Sequence, residues 1–155
     1  MRTSLIAIAL SFAGAAVATP QAQNYAKPYS IGSIFLKHLV ESDSYDLTFT
    51  ITHRTPAGNA IESTVAHTAW SNGSNPVGPA EPELAENPLY TYYFPTGAPH
   101  PEEGFRFAVQ SVVGGLAAGN IEPGEKFHCR DYTGDDANID TECLSINEGE
   151  FYLTR

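Results

Sequence analysis

Basic residues are scarce in this sequence: eight Lys and Arg stand against 18 Asp and Glu, and the formal net charge is −10 at pH 7. A surface this acidic is repelled by phosphate backbones and anionic lipids, which argues against nucleic-acid and membrane-surface roles. After residue 18, no apolar run approaches the about 20 residues that a transmembrane helix needs. The acidity is typical of a protein that stays soluble in an acidic extracellular medium.

Motifs for catalysis and metal binding are also missing. The five histidines form no His-x-His or His-Glu-x-x-His pattern, and no Gly-x-Ser-x-Gly nucleophile elbow occurs. Acidic pairs such as Glu102 and Glu103 lie in Pro-rich loops, where solvated charge is the usual explanation. A carboxylate pair for glycoside hydrolysis has a geometry that no sequence displays. We therefore expect no enzyme, no cofactor and no metal, with a small extracellular hydrolase as the last alternative.

The N-terminus has the pattern of a secretory signal peptide. A positive start, Met1–Ser4, precedes the apolar run Leu5–Leu10 and the Ala-x-Ala cleavage signal Ala16-Val17-Ala18. We expect cleavage after Ala18, which divides the chain into a signal peptide at 1–18 and one secreted domain at 19–155. The expected location is therefore extracellular.

Only two cysteines are present, Cys129 and Cys143. An even number of cysteines in an exported chain predicts a disulfide. The bond would close a loop of about 15 residues and stabilise the domain by about 3 kcal/mol in the chain-entropy model.

The acidic stretch 131–142 lies between these cysteines. Its segment Asp136–Asp140 matches the first three ligand positions of a calcium loop. The match then fails, because Thr141 stands where Gly is needed and Asn147 where the bidentate Glu should be. A solvated acidic loop is favoured, and calcium binding is the alternative.

An alternating hairpin is the clearest structural pattern. In Ser44–Arg54 every second residue is apolar, and Ile61–Ala69 alternates in the same way. The loop Pro56-Ala57-Gly58 suits a type I turn followed by Gly in the left-handed region. This turn pairs Thr55 with Asn59, and it places odd-numbered residues of both strands on the inner face. His53 and His67 would share that face, too far apart along it to ligate one metal.

Further apolar segments predict more strands, at Tyr29–His38, Leu89–Phe94, Phe105–Val113, Glu125–Arg130, Glu142–Ile146 and Glu150–Thr154. Between them, 71–88, 96–104 and 114–124 have the Gly, Pro and Asn content of loops. No helix is predicted after the signal peptide. The pattern predicts an all-β single domain, an antiparallel β-sandwich or β-barrel of about seven to nine strands.

Four aromatic residues are candidates for a ligand-facing surface. Tyr90, Tyr92 and Phe94 lie on one face of their strand, and Trp70 ends the second hairpin strand. Core packing is the favoured interpretation, and a sugar-stacking platform or a protein-binding patch is the alternative. Asn72-Gly73-Ser74 is the only N-glycosylation sequon, in a polar segment suited to an acceptor.

The order of these features resembles the fungal small secreted proteins related to the Alternaria major allergen, an extracellular β-barrel family. The resemblance rests on the signal peptide, the hairpin, the Trp-containing loop, a strand like Gly104–Gln110, the late cysteine pair and a final strand such as Phe151–Arg155. The family usually has an earlier cysteine near the second hairpin strand, where this chain reads Thr64–His67. The resemblance implies allergen-like or effector-like proteins without established catalysis.

Three hypotheses follow. The first is a non-catalytic secreted fungal protein that binds a host or extracellular protein. The second is a carbohydrate-binding module that engages cell-wall polysaccharide through the four aromatics, and the third is the small hydrolase. Exposed aromatics in a shallow groove would favour the second. A closed aromatic core with an apolar patch elsewhere would favour the first.

Overall fold

A computed structural model describes residues 27–98, 100–112, 114–146 and 149–155. The signal peptide at 1–18, its cleavage site and Asn147 lie outside these residues. The described part contains ten β-strands and a 3-10 turn at Pro101–Glu103. The all-β prediction is therefore confirmed, with slightly more strands than expected.

The strands in chain order are β1 Tyr29–Leu39, β2 Ser44–Arg54, β3 Ala60–Ser71, β4 Glu83–Leu84, β5 Tyr90–Tyr93, β6 Phe105–Ser111, β7 Gly115–Ile121, β8 Phe127–Asp131, β9 Ile139–Ser145 and β10 Phe151–Leu153. One sheet has the order β3-β2-β1-β9-β8, with β10 also paired to β1. The other has the order β4-β5-β6-β7. Every pairing is antiparallel. The two sheets form a sandwich-like arrangement around one core.

An irregularity divides β1 between two partners. Tyr29–Ile31 pairs with β10, whereas Phe35–Leu39 pairs with β9. The register against β2 shifts between Gly32 and Phe35, where Ser33 takes a φ of 47°. Such β-bulges bend a strand and change the direction of its hydrogen-bonding groups. Here the bend allows the two ends of β1 to pair with different strands.

Aromatic rings fill the space between the sheets. Phe49 of the first sheet packs edge-to-face on Tyr92 and Phe107 of the second, with ring centroids 5.0 and 4.7 Å apart. Phe94 packs edge-to-face on Phe107 at 5.2 Å. Edge-to-face contacts of this kind add stability beyond the burial of apolar area. The core is therefore closed by aromatics from both sheets.

The hairpin has the predicted turn but not the predicted faces. The Thr55 amide donates to the Asn59 carbonyl at 2.8 Å, and Gly58 has a φ of 87°. The register then shifts by one residue, because Arg54 pairs with Ala60 whereas His53 pairs with Glu62. Ile61 is the extra residue. From this bulge onward the even-numbered residues of β3 face the core, so the predicted inner face is right for β2 and wrong for β3.

The reversed faces have a clear energetic reason. The observed register buries Trp70 and leaves Val65 and His67 on the outside. Trp has a much larger apolar surface to bury than Val, and His costs free energy to desolvate. His53 is buried while His67 is exposed, so the expectation that they share a face was also wrong.

A predicted loop at 114–124 is in fact strand β7. It pairs with β6 along its whole length, from Phe105 opposite Ile121 to Ser111 opposite Gly115. A side chain at Gly119 would come within 3.0 Å of Leu153. Glycine here therefore marks the close approach of β10 to β7, and a glycine-rich sequence conceals the strand.

The disulfide between Cys129 and Cys143 is present, as predicted. The two residues are direct partners in the β8–β9 pairing. No helix among the described residues is long and apolar enough to cross a membrane.

Candidate functional site

The four candidate aromatics all lie inside the core. Trp70, Tyr90, Tyr92 and Phe94 are at most 7% exposed. The Trp70 Nε1 donates to the Ala98 carbonyl at 3.2 Å, inside the molecule. Their burial agrees with the favoured core-packing interpretation and not with the alternative of a ligand-facing platform.

The tyrosine hydroxyls point to carboxylates at the surface. Tyr90 donates to Glu62 at 2.8 Å, and the hydroxyl of Tyr92 has two acceptors, the His67 carbonyl and the Glu83 carboxylate. Burial, followed by these carboxylates, raises the pKa of both tyrosines. The hydroxyls therefore remain hydrogen-bond donors, and they hold Glu62 and Glu83 in place along the edge of β3.

Two adjacent segments at this edge, β3 and 84–89, carry exposed aliphatic side chains. Ile61, Val65, Leu84 and Leu89 are between 37 and 61% exposed, and we call these four residues the β3-edge patch. Single exposed aliphatic residues are common, but several that the fold brings to one edge make that edge a candidate interaction surface. Sequence reasoning missed the patch, because the hairpin without its bulge would have turned Val65 inward.

Hydrogen bonds bring the two halves of the patch together. The Glu86 amide donates to the Val65 carbonyl at 2.9 Å, and the Asn87 amide donates to the Thr64 hydroxyl at 2.9 Å. The Asn87 side chain also donates to Glu62 at 2.7 Å. Residues 84–89 are therefore fastened to β3, and a shallow groove of about 360 Å³ lies between them.

The stretch of chain that contains the patch carries charge of one sign. No Lys or Arg occurs between Arg54 and Arg106, whereas this stretch contains six glutamates: Glu62, Glu81, Glu83, Glu86, Glu102 and Glu103. The guanidinium of Arg54 is itself paired with the Glu150 carboxylate. Uncompensated acids produce a negative potential that attracts basic groups of a partner.

Two other surface depressions contain polar groups. One, of about 320 Å³, is lined by Gly32, Ser33, Thr50, Thr52, Ser145 and Glu150, and we call it the hydroxyl groove. Its polar atoms bond within the protein: Ser145 accepts from the Ile34 amide, and Thr52 bonds to Ser63. The second is an open groove of about 750 Å³ whose lining includes Glu103 and Glu122.

The residues of the calcium-like pattern have separate partners. Asp136 accepts from the Asn138 amide, Asn138 accepts from the Glu41 amide, and Asp140 bonds to His38. Among the described residues, no three His, Cys, Asp or Glu side chains are grouped to hold a metal ion.

The sequon residue Asn72 is exposed just beyond β3. Its backbone amide donates to the Asp43 carbonyl at 2.8 Å, and its side-chain nitrogen donates to the Asp43 carboxylate at 3.1 Å. The amide side chain is therefore at the surface, as an acceptor for a glycan must be.

Comparison with known proteins returned no match: no family model, no curated protein and no solved structure resembles this chain significantly. The arguments on function therefore rest on the residues themselves.

Proposed function

We propose that this is a non-catalytic secreted protein, effector-like or allergen-like in role, that binds a host or extracellular protein through the β3-edge patch. The observation that carries the proposal is an aliphatic patch set within a stretch of chain that has six acids and no basic residue. The partner that this surface fits presents apolar side chains flanked by Lys or Arg.

The two kinds of contact have different roles in such binding. Aliphatic side chains excluded from water supply most of the affinity at the centre of an interface. Charges at the rim mainly accelerate association and select the partner. Here the acids are held in place, since Tyr90 and Tyr92 donate to Glu62 and Glu83. Little side-chain entropy remains to be lost when a basic partner binds.

Matched variants test the patch. Leu89→Asp and Leu116→Asp make the same chemical change at side chains that are 49 and 48% exposed, but only Leu89 belongs to the patch. The secreted, oxidised protein is used to capture proteins from host extracellular fluid, and the captured protein is then purified and titrated. We expect Leu89→Asp to weaken its binding by at least about fivefold and Leu116→Asp to leave it unchanged. Equal effects of both variants would contradict the proposal.

Charge reversal tests the rim. Glu86→Lys should slow association with the purified partner and reduce its dependence on salt, because a rim charge acts mainly on the association rate. Glu122→Lys, outside the basic-free stretch, is the control. A salt dependence that Glu86→Lys leaves unaltered would mean that the acids do not select the partner.

Binding of cell-wall polysaccharide is the second candidate function, and the hydroxyl groove favours it. The Ser33 hydroxyl in this groove is exposed, and hydroxyls that bond once within the protein keep a further lone pair that can accept from a sugar. The same protein should then be retained on insoluble polysaccharide, and Ser33→Ala, which changes this groove but not the one beside Val65, should reduce retention. Retention that Leu89→Asp abolishes, with Ser33→Ala harmless, would instead place the polysaccharide at the patch.

Secretion is tested on the full chain. Expression of residues 1–155 in a fungal host should release a protein whose N-terminal sequence begins at Thr19. Treatment with an N-glycosidase should reduce its mass if Asn72 carries a glycan, and Ser74→Ala should remove that difference. Retention of the whole chain inside the cell would contradict the extracellular assignment.

A further inference from the structure

His38, near the end of β1, has a carboxylate on each of its ring nitrogens. Its Nδ1 lies 2.8 Å from an Asp140 oxygen, and its Nε2 lies 3.1 Å from an Asp43 oxygen. The imidazole is largely covered, with 17% of the side chain exposed. Because the two acids are on opposite nitrogens of the ring, they cannot join His38 around one metal ion.

The protonation state follows from hydrogen-bond chemistry. A neutral imidazole has one N–H and one lone pair, whereas an ionised carboxylate can only accept. One of the two contacts in a neutral ring would therefore set a lone pair against a carboxylate. The positively charged imidazolium has an N–H on each ring nitrogen, so both contacts become charge-assisted hydrogen bonds.

We propose that His38, Asp43 and Asp140 form a proton-operated latch, which is closed when His38 is protonated and loosens when it loses its proton. The latch joins two parts of the chain that are distant in sequence, the β1–β2 turn and strand β9. Asp43 belongs to the β1–β2 turn and also bonds to Asn72 beyond β3, whereas Asp140 belongs to β9. Closing it fastens this turn to the acidic stretch 131–142.

The neighbouring contacts show what the latch holds. Asp43 has a φ of 45°, in the left-handed region that Asp adopts more readily than most non-glycine residues. The Val40 amide donates to the Asn138 carbonyl at 2.8 Å, and the Asn72 amide donates to the Asp43 carbonyl at 2.8 Å. These two amides therefore report whether the end of the sandwich is closed.

The other charged groups near the ring support the protonated state. Tyr45 of β2 packs on His38 with ring centroids 4.9 Å apart, and its hydroxyl donates to Glu102 at 3.2 Å. Burial, Glu102 and the two aspartates raise the pKa of Tyr45 to about 12, so the ring stays neutral. Burial disfavours the charge on His38, but the hydrogen bonds to Asp140 and Asp43 outweigh it and raise the pKa of His38.

The sign of the pH response follows. A histidine whose pKa is raised by folding contributes stability that is complete below about pH 6.5, and this contribution is lost as the pH rises through the folded pKa. The latch is therefore closed in an acidic medium and loosens toward neutral and alkaline pH. This makes one end of the molecule responsive to the acidity of its surroundings.

The test combines two NMR measurements on the intact domain. Titration of the imidazole signals should give His38 a midpoint above the about 6.5 of an unperturbed histidine. Asp46, which bonds to His67 and not to His38, provides a control. Asp43→Asn and Asp140→Asn should each lower the His38 midpoint, while Asp46→Asn should not. A His38 midpoint at or below about 6.5, or one that neither variant changes, would overturn the proposal.

Amide hydrogen exchange then tests whether the backbone near the latch loosens when His38 loses its proton. After correction for the intrinsic pH dependence of exchange, protection of the Val40 and Asn72 amides should fall by about two- to fivefold as the pH passes the His38 midpoint. The Phe107 amide in the core should show no such step. In His38→Gln the step should disappear. Unchanged protection of Val40 and Asn72 across the midpoint in the wild type would refute the latch.

Discussion

Replacement of Trp70 by alanine tests whether this ring is structural. The side chain is 7% exposed, its ring centroid lies 5.5 Å from Tyr45 and 5.9 Å from Phe94, and its Nε1 donates to the Ala98 carbonyl. Truncation of a buried Trp to Ala costs about 3–5 kcal/mol, which includes the cavity it leaves. That is a large part of the about 5–15 kcal/mol that holds a domain folded.

Urea unfolding measures the loss. With a denaturant slope of about 2 kcal/mol per M, the midpoint should fall by roughly 2 M. Far-UV circular dichroism is the readout, because Trp70 is the only tryptophan and its loss removes the fluorescence signal. Leu84→Ala, at a residue that is 61% exposed, is the control and should change stability by less than about 0.5 kcal/mol. A Trp70→Ala protein of nearly wild-type stability that no longer binds polysaccharide would refute the reasoning, since the ring would then be accessible.

Three further predictions concern the disulfide, the bulge and a buried histidine. The double variant Cys129→Ser, Cys143→Ser should lose about 3 kcal/mol in thermal unfolding, and alkylation of either thiol in the native wild type would contradict the bond. Deletion of Ile61, the extra residue, should leave Trp70 opposite Tyr45 with an unchanged emission maximum, whereas deletion of both Ile61 and Ser63 should turn Trp70 outward and red-shift its fluorescence. Burial lowers the pKa of His53, so the free energy of unfolding should fall as the pH drops below about 6.5 toward its folded pKa. His53→Gln should flatten this part of the pH profile, and an unchanged slope in urea titrations at several pH values would exclude His53 as the cause.

The hairpin illustrates how far local sequence reasoning extends. Pro56, Gly58 and the alternating residues of β2 correctly predicted the turn and one of its strands, because both depend on residues close together in the chain. The inner face of β3 depended on a one-residue bulge at Ile61. Its cause is the space available for Trp70 between the sheets, and no local pattern contains that information.

The surface that we propose for binding was missed for a related reason. The aromatic positions that suggested a ligand platform, such as Tyr92, are apolar enough for either a core or a binding face. Sequence alone does not say which side of β5 meets the other sheet. Once that side is known, the aromatics are core residues, and the exposed aliphatic side chains of the β3-edge patch become the candidate binding residues.

The sequence by itself determined the composition-dependent properties: an acidic chain, a β-rich fold, a turn at 55–59 and a cysteine pair close enough along the chain to bond. Only the tertiary structure decided which residues meet across the fold. His38 and Asp140 are 102 residues apart, and Val65 and Glu86 come together only because 84–89 folds back on β3. Such contacts depend on the packing of two sheets, which is set by the summed burial of the whole core and not by any one segment.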